Sequence, residues 1–228
     1  MNGFTLFDTT HIIWLASILL VLIFLLYLYK FSNIVNQQLY LKFIFWLLLL
    51  LECAKQLFLL VQGSYSYWSP PLHLCGLGIF ITGWHAYLGS RTTATLLYAL
   101  TLPGAAIALL FPGWTADPVG SFLHVHSFLF HALLLAFIIP LLVMEQLDLR
   151  WQDLWRAFVF LALTVPPIYI YNSYFQTNFM FLNRPVSGTP LQWLFSAFGA
   201  SGYLASLAFV LLIYWCIAYA PLLKRKEL

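Results

Sequence analysis

The chain has 228 residues, of which 63% are hydrophobic and 19% aromatic, but only 7% are charged. A soluble domain carries about a quarter charged residues, so this composition excludes one and indicates an integral membrane protein. The net charge of +3 is too small to mark a nucleic-acid partner, and what informs is where those charges fall. Long apolar runs, rather than short alternating ones, favour helices over a barrel.

The predicted elements follow in chain order. A first helix near 11–31 opens after Asp8-Thr9-Thr10, a capping sequence, and closes at Lys30. It lacks the basic start and small-residue cleavage site of a signal peptide. A polar link from Ser32 to Gln38 leads to a helix near 39–61. Pro70-Pro71 suits a first helical turn, so the third helix is expected near 70–88, with Cys75 one to two turns inside. A fourth lies near 92–111, kinked at Pro103-Gly104, and a fifth near 121–144. The charged segment from Glu145 to Arg156 is expected as a surface linker. A sixth helix near 155–174 is expected to break at Pro166-Pro167. A long aromatic loop over 175–198 precedes the seventh, near 199–221. Each run approaches the roughly 20 residues of a bilayer crossing. The expected fold is all-α, one polytopic bundle of seven transmembrane helices.

Alternating loops put Lys30, Lys42, Arg91, Arg150, Arg156, Lys224, Arg225 and Lys226 on one side and Arg184 on the other. The positive-inside rule makes the first side cytoplasmic. The N-terminus is then outside and the C-terminus inside.

Polar groups within a membrane are costly and mark function. At 1.5 Å per residue, Cys75 lies about 7 Å from the outer end of its helix, and Glu52 and Lys55 about 9–14 Å from the outer end of theirs. His124, His126 and His131 enter from outside on the fifth helix, with His124, Phe128 and His131 on one face. Tyr171, Asn172 and His11 also fall in the outer half, while His85 lies near the inner end. This asymmetry predicts a polar cavity open to the outer leaflet. Glu52 and Lys55, three residues apart, either neutralise one another or serve that site, and Lys55 has the length to snorkel. His124 and His126 read as solvated at the interface. His131 lies about 15 Å from its helix start and needs a partner. Cys53 and Cys216 read as packing residues.

A thiol becomes a nucleophile through a base that a third group orients. Cys75 and His131, with Glu52 or Asn172 as orienter, form such a unit. The positive end of the helix dipole favours an anion at Cys75. Backbone N–H groups near Gly76, or the Asn172 amide, are candidate oxyanion donors. The substrate within reach is a lipid ester just below the headgroups. The histidines lack thiolate or acidic companions at metal-site spacing, so no metal is expected, and no cofactor either. The rival class is a transporter or lipid-binding protein, with the kinked helices lining a path, but no inverted repeat supports it. A retinal protein is excluded because the seventh helix has no interior lysine.

Three pieces, Pro71-Leu72-His73-Leu74-Cys75-Gly76, Phe130-His131-Ala132-Leu133 and Asn178-Phe179-Met180-Phe181-Leu182, resemble the YwaF-like bacterial integral membrane proteins. Those are relatives of the eukaryotic transmembrane protein 164 family. That family is associated with acyl transfer to lysophospholipids, ether lipids included, through a cysteine acyl carrier and a histidine. The resemblance implies Cys75 as nucleophile and His131 as base. It implies phospholipid and lysophospholipid substrates, and a site facing the outer leaflet of a bacterial cytoplasmic membrane. His73 and Asn178, within these motifs, join Glu52, Lys55, His124 and Asn172 as candidate substrate-binding or orienting residues. The chain is similar, more distantly, to membrane threonine hydrolases of fatty-acid esters, with cysteine in place of threonine; a lipid-ester hydrolase using the same residues is the alternative activity. Phe179 replaces the tyrosine common in bacterial members, and the approach to His131 carries two additional histidines.

Overall fold

The computed structural model describes residues 3–186 and 188–224, without the side chains of 223 and 224. Its helices are α1 (Thr9–Lys30), α2 (Ile34–Val61), α3 (Leu74–Leu88), α4 (Arg91–Leu110), α5 (Phe122–Val143), α6 (Leu154–Phe175) and α7 (Pro190–Lys224). Among the described residues six of these are long and apolar enough to cross a membrane, and α3, at 15 residues, is shorter. The protein is an all-helical membrane protein. Large apolar side chains point outward along the spans, such as Leu20 and Phe24 on α1, Leu163 and Ile170 on α6, and Phe209 and Ile217 on α7. In lipid that exposure is the favourable state.

The core is built on α5, which packs against α1, α2, α3 and α4. Its consecutive residues Leu134, Leu135, Ala136, Phe137 and Ile138 are all buried, the mark of a helix surrounded on every side. More than half of α4 and α5 is buried (56%), against 11% of α1 and α6. The helix between, α3, approaches both closely: a methyl added at Gly78 would stand 2.9 Å from Thr101 Cγ2 and 3.4 Å from Leu134 Cδ2.

Several boundaries differ from the sequence reading, each for a physical reason. Asn33 caps α2 by accepting from the Asn36 N–H at 2.9 Å, so α2 takes in most of the polar link and begins at Ile34. Pro70-Pro71 lie before α3, not in its first turn. A methyl on Gly76 would meet the Pro71 carbonyl at 2.4 Å, so the glycine lets this segment fold across the helix start, and α3 begins at Leu74. The bend expected at Pro103 is a π-turn over Leu97–Thr101, a usual accommodation within membrane helices. The expected break at Pro166-Pro167 does not occur, since α6 runs through both prolines. The loop expected to reach 198 is shorter: Pro190 opens α7, and a non-helical Gly199 (φ +65°, ψ −178°) divides it where the spanning part was expected to start.

Proline frees the carbonyl four residues earlier. Pro140 frees that of Ala136, which accepts from the Tyr40 hydroxyl at 2.9 Å. In the π-turn before Pro103, the Tyr98 and Ala99 carbonyls accept from the Tyr214 hydroxyl and the Trp215 indole N–H, both at 3.0 Å. At one end of the bundle Tyr29, Gln146 and Gln37 close a ring of hydrogen bonds. There too Arg91 and Arg150 bind Asp148, and Arg156 binds Asp153; Arg225 and Lys226 lie outside the described residues. This is the basic end. The opposite end carries His11, His73, His124, His126 and His131.

Tyr40→Phe is expected to cost about 1 kcal/mol by stranding the Ala136 carbonyl. Pro140→Ala, which restores a backbone donor, should cancel most of that cost in the double variant. Unfolding of the four proteins in detergent micelles measures the coupling.

Candidate functional site

Cys75 is the second residue of α3, buried at 8% exposure. The first backbone bond of the helix runs from the Leu77 N–H to the His73 carbonyl, 3.0 Å, so the N–H groups of Leu74, Cys75 and Gly76 precede the intrahelical ladder. His73 stands at the cap position, but its side chain does not cap. The thiol is therefore in the first turn, nearer the positive helix end than the sequence suggested.

Helix register sets its neighbours. Gly78 faces Thr101 on α4, and one turn toward the histidine end Cys75 faces Gly104, where an added methyl would lie 3.5 Å from the sulfur. Gly78 also faces Leu134 on α5. Since α3 and α5 run in the same direction, one turn toward the same end brings His131 level with Cys75. Level is not contact. Among the described residues no hydrogen bond joins the two. The Nδ1–H of His131 donates to the Ser127 carbonyl at 2.7 Å. Its ring stacks on Trp114 at 5.0 Å and 11° and meets Phe130 edge-on at 5.6 Å. The group that orients His131 is thus the Ser127 carbonyl one turn back on its own helix, and no hydrogen bond links it to Glu52 or Asn172.

His73 is held by a loop from the far side of the sequence. Its Nδ1 accepts from the Met180 N–H at 3.2 Å, and its ring lies 5.1 Å from both Phe179 and Phe181. Two asparagines build that loop. Asn172, 1% exposed, clamps Phe179 by both backbone groups: Nδ2 donates to the carbonyl at 3.0 Å, and Oδ1 accepts from the N–H at 2.8 Å. The Thr177 hydroxyl also donates to Oδ1, at 2.9 Å. Asn178 Oδ1 accepts from the Asn183 and Arg184 N–H groups at 3.2 Å, and its Nδ2 donates to the Arg184 carbonyl at 2.9 Å. Both side chains, candidates for substrate-binding or orienting roles, are engaged in holding the loop. Met180 and Phe181 are each left-handed at φ +55°, a conformation that costs a non-glycine residue of order 1 kcal/mol.

Glu52 is buried on α2, and its Oε1 binds Lys55 at 2.8 Å and Gln56 at 2.5 Å. Gln56 extends the chain to the Ser69 carbonyl at 2.8 Å, tying α2 to the loop before α3. Glu52 and Lys55 are therefore mutually neutralised, as the spacing of three allows.

His124 and His126 are buried rather than solvated. His124 accepts from the Trp14 indole N–H at 2.9 Å and meets Phe4 edge-on at 5.1 Å. It belongs to a plug made by the N-terminal arm, whose Phe4 N–H reaches the Thr115 carbonyl at 2.9 Å. His126 turns to the α2 side of α5, stacks on Phe130 at 5.6 Å and leaves Nε2 without a partner. Sequence reasoning passed over His126 as interfacial. Its spacing of five from His131 was visible, but the neighbouring helix that buries it was not.

Two clefts mark the surface. One, of about 520 Å³, lies at the basic end between the 145–152 segment and Pro221-Leu222. The other, of about 150 Å³, is an apolar groove between α1 and α5. Neither of these is lined by Cys75 or His131; around His131 the Trp114 and Phe130 rings pack closely. Among the described residues no group of three or more His, Cys, Asp or Glu side chains is arranged to hold a metal ion.

A model of the TMEM164 family matches residues 6–219. No curated protein and no solved structure matches the chain.

Asn172→Ala is expected to strand the Phe179 N–H and carbonyl, at about 2 kcal/mol or more. The 176–186 loop should then be cut by protease at concentrations that spare the parent protein. Equal cleavage rates would remove the clamp.

Proposed function

The chain belongs to the TMEM164 family, and from that membership we propose that it is an intramembrane phospholipid acyltransferase working through a Cys75 thioester. The observation that carries the reading is the facing of Gly78 on α3 and Leu134 on α5, from which helix register sets Cys75 and His131 one turn further toward the same end. Two further features support it. The His131 proton sits on Nδ1, bound to the Ser127 carbonyl, which leaves the Nε2 lone pair as a base. The α3 start has first-turn N–H groups that its cap residue does not fill, and such groups stabilise developing negative charge.

Bound substrate supplies the link between sulfur and imidazole that no hydrogen bond makes. A phospholipid ester carbonyl entering between α3 and α5 parts the packed rings and brings sulfur and imidazole to a common reacting atom; such hydrogen bonds tighten in the substrate complex. The thiol proton passes to His131 Nε2 as sulfur attacks the carbonyl carbon. Collapse expels the lysophospholipid alkoxide, which takes the proton back. An acceptor lysophospholipid hydroxyl then reverses the sequence on the thioester. Water in place of that hydroxyl makes the same residues a lipase, and the product tells the two apart. Arg91, Arg150 and Arg156 gather at the basic end, which the positive-inside rule assigns to the cytoplasm. The reacting end then faces the outer leaflet of the membrane, in a bacterium its cytoplasmic membrane.

The test uses the protein in nanodiscs with acyl-labelled phosphatidylcholine and an unlabelled lysophospholipid. Label should move to the lysophospholipid. Cys75→Ala should abolish transfer, and His131→Gln should slow it about a hundred- to ten-thousand-fold. Transfer that persists unchanged in Cys75→Ala overturns the mechanism.

A further inference from the structure

The imidazoles near Cys75 do not have free choice of tautomer. A carbonyl accepts only, so the His131 contact with Ser127 O puts the proton on Nδ1 and leaves Nε2 as an acceptor. A backbone N–H donates only, so the His73 contact with Met180 N leaves Nδ1 bare and puts the proton on Nε2. The backbone thus writes opposite roles on the two outer nitrogens: a lone pair on His131, an N–H on His73. Both rings lie at the histidine end of the bundle, each packed among aromatic side chains. His73 stands two residues before Cys75, and His131 stands level with it. The donor form of His73 is maintained at conformational expense, because Met180 and Phe181 are both left-handed where the Met180 N–H is presented. Strain of this kind, held by an asparagine clamp on Phe179, is the sort that collects at functional positions.

We propose that the His73 Nε2–H is the hydrogen-bond donor to the acyl carbonyl oxygen, opposite the His131 base, so that two imidazoles of fixed and contrary tautomer bracket the ester. The inference rests on the acyl-transfer reading above. As the C–S bond forms, the thiol proton moves to His131 Nε2. The carbonyl π pair moves onto oxygen, and that oxyanion accepts the hydrogen bond from His73. When the tetrahedral centre collapses, the pair returns, the C–O bond to the lysophospholipid breaks, and its oxygen leaves with the proton from His131. His73 keeps its proton throughout.

The experiment has two arms. In nanodiscs of phosphatidylcholine, ring-nitrogen magnetic resonance of the 15N-histidine protein reads the tautomer of each imidazole, with His73→Gln and His131→Gln assigning the signals. A protonated Nε2 on His73 and a protonated Nδ1 on His131 are expected; a protonated Nδ1 on His73 overturns the proposal without any variant having to be active. In acyl transfer, His73→Phe should lower kcat about a hundred- to a thousand-fold with KM within about threefold. His73→Gln, which keeps an N–H, should recover at least about tenfold of that loss. Full kcat in His73→Phe, with Cys75→Ala inactive, removes the role of His73 and leaves the thioester reading standing. Full activity in Cys75→Ala removes both.

Discussion

The demand that every backbone polar group in hydrocarbon find a partner governs this molecule more than any other. An unpaired N–H or carbonyl there costs several kcal/mol, and the chain meets the demand with side chains at several points where the helical ladder fails. Trp215 takes a carbonyl of the π-turn beside Pro103, and Tyr40 the one that Pro140 releases. His11 takes the Leu109 carbonyl near the end of α4 at 2.8 Å and accepts the Phe7 N–H at 2.9 Å. Asn172 takes both groups of Phe179, and His73 takes the N–H of Met180. The residues that look like chemistry in the sequence are, first of all, the ones that make irregular chain tolerable at depth.

That double duty couples fold to site. An imidazole with one nitrogen bound to backbone has its other nitrogen defined in kind and direction. His131 acquires a lone pair through Ser127, and His73 acquires a donor through Met180. No carboxylate is needed to orient either, and Glu52 is left to pair with Lys55 and Gln56. The loop from Thr177 to Arg184 is therefore best understood as a scaffold: its asparagines fix it, its aromatic rings enclose His73, and its strained residues aim one N–H.

Much of this could be read from the residues. Apolar length gave the spans, because in lipid the outward face must be apolar whatever the packing. The three motifs on α3, on α5 and after α6 pointed to the histidine end, where His73 and Met180 meet from 107 positions apart. What could not be read was set by neighbours. Pro70-Pro71 looked like a helix start, yet Gly76 leaves room for the Pro71 carbonyl and postpones α3 to Leu74. Pro166-Pro167 looked like a break, yet α6 carries them straight through. That Asn172 and Asn178 hold the loop was not legible, because a side-chain amide gives no hint, in one dimension, of the backbone it serves. His124 and His126 looked wet because the plug at Phe4 and the wall of α2 are distant in sequence.

The brevity of α3 reaches beyond the protein itself. Fifteen residues span about 22 Å, in hydrocarbon about 30 Å thick. On the histidine side α3 is preceded by the irregular chain over 64–73, and the 176–186 segment, which holds only a single 3-10 turn, packs there too. Lipids beside such a short wall accommodate it by thinning, so the length of α3 couples the protein to the thickness of the bilayer around it.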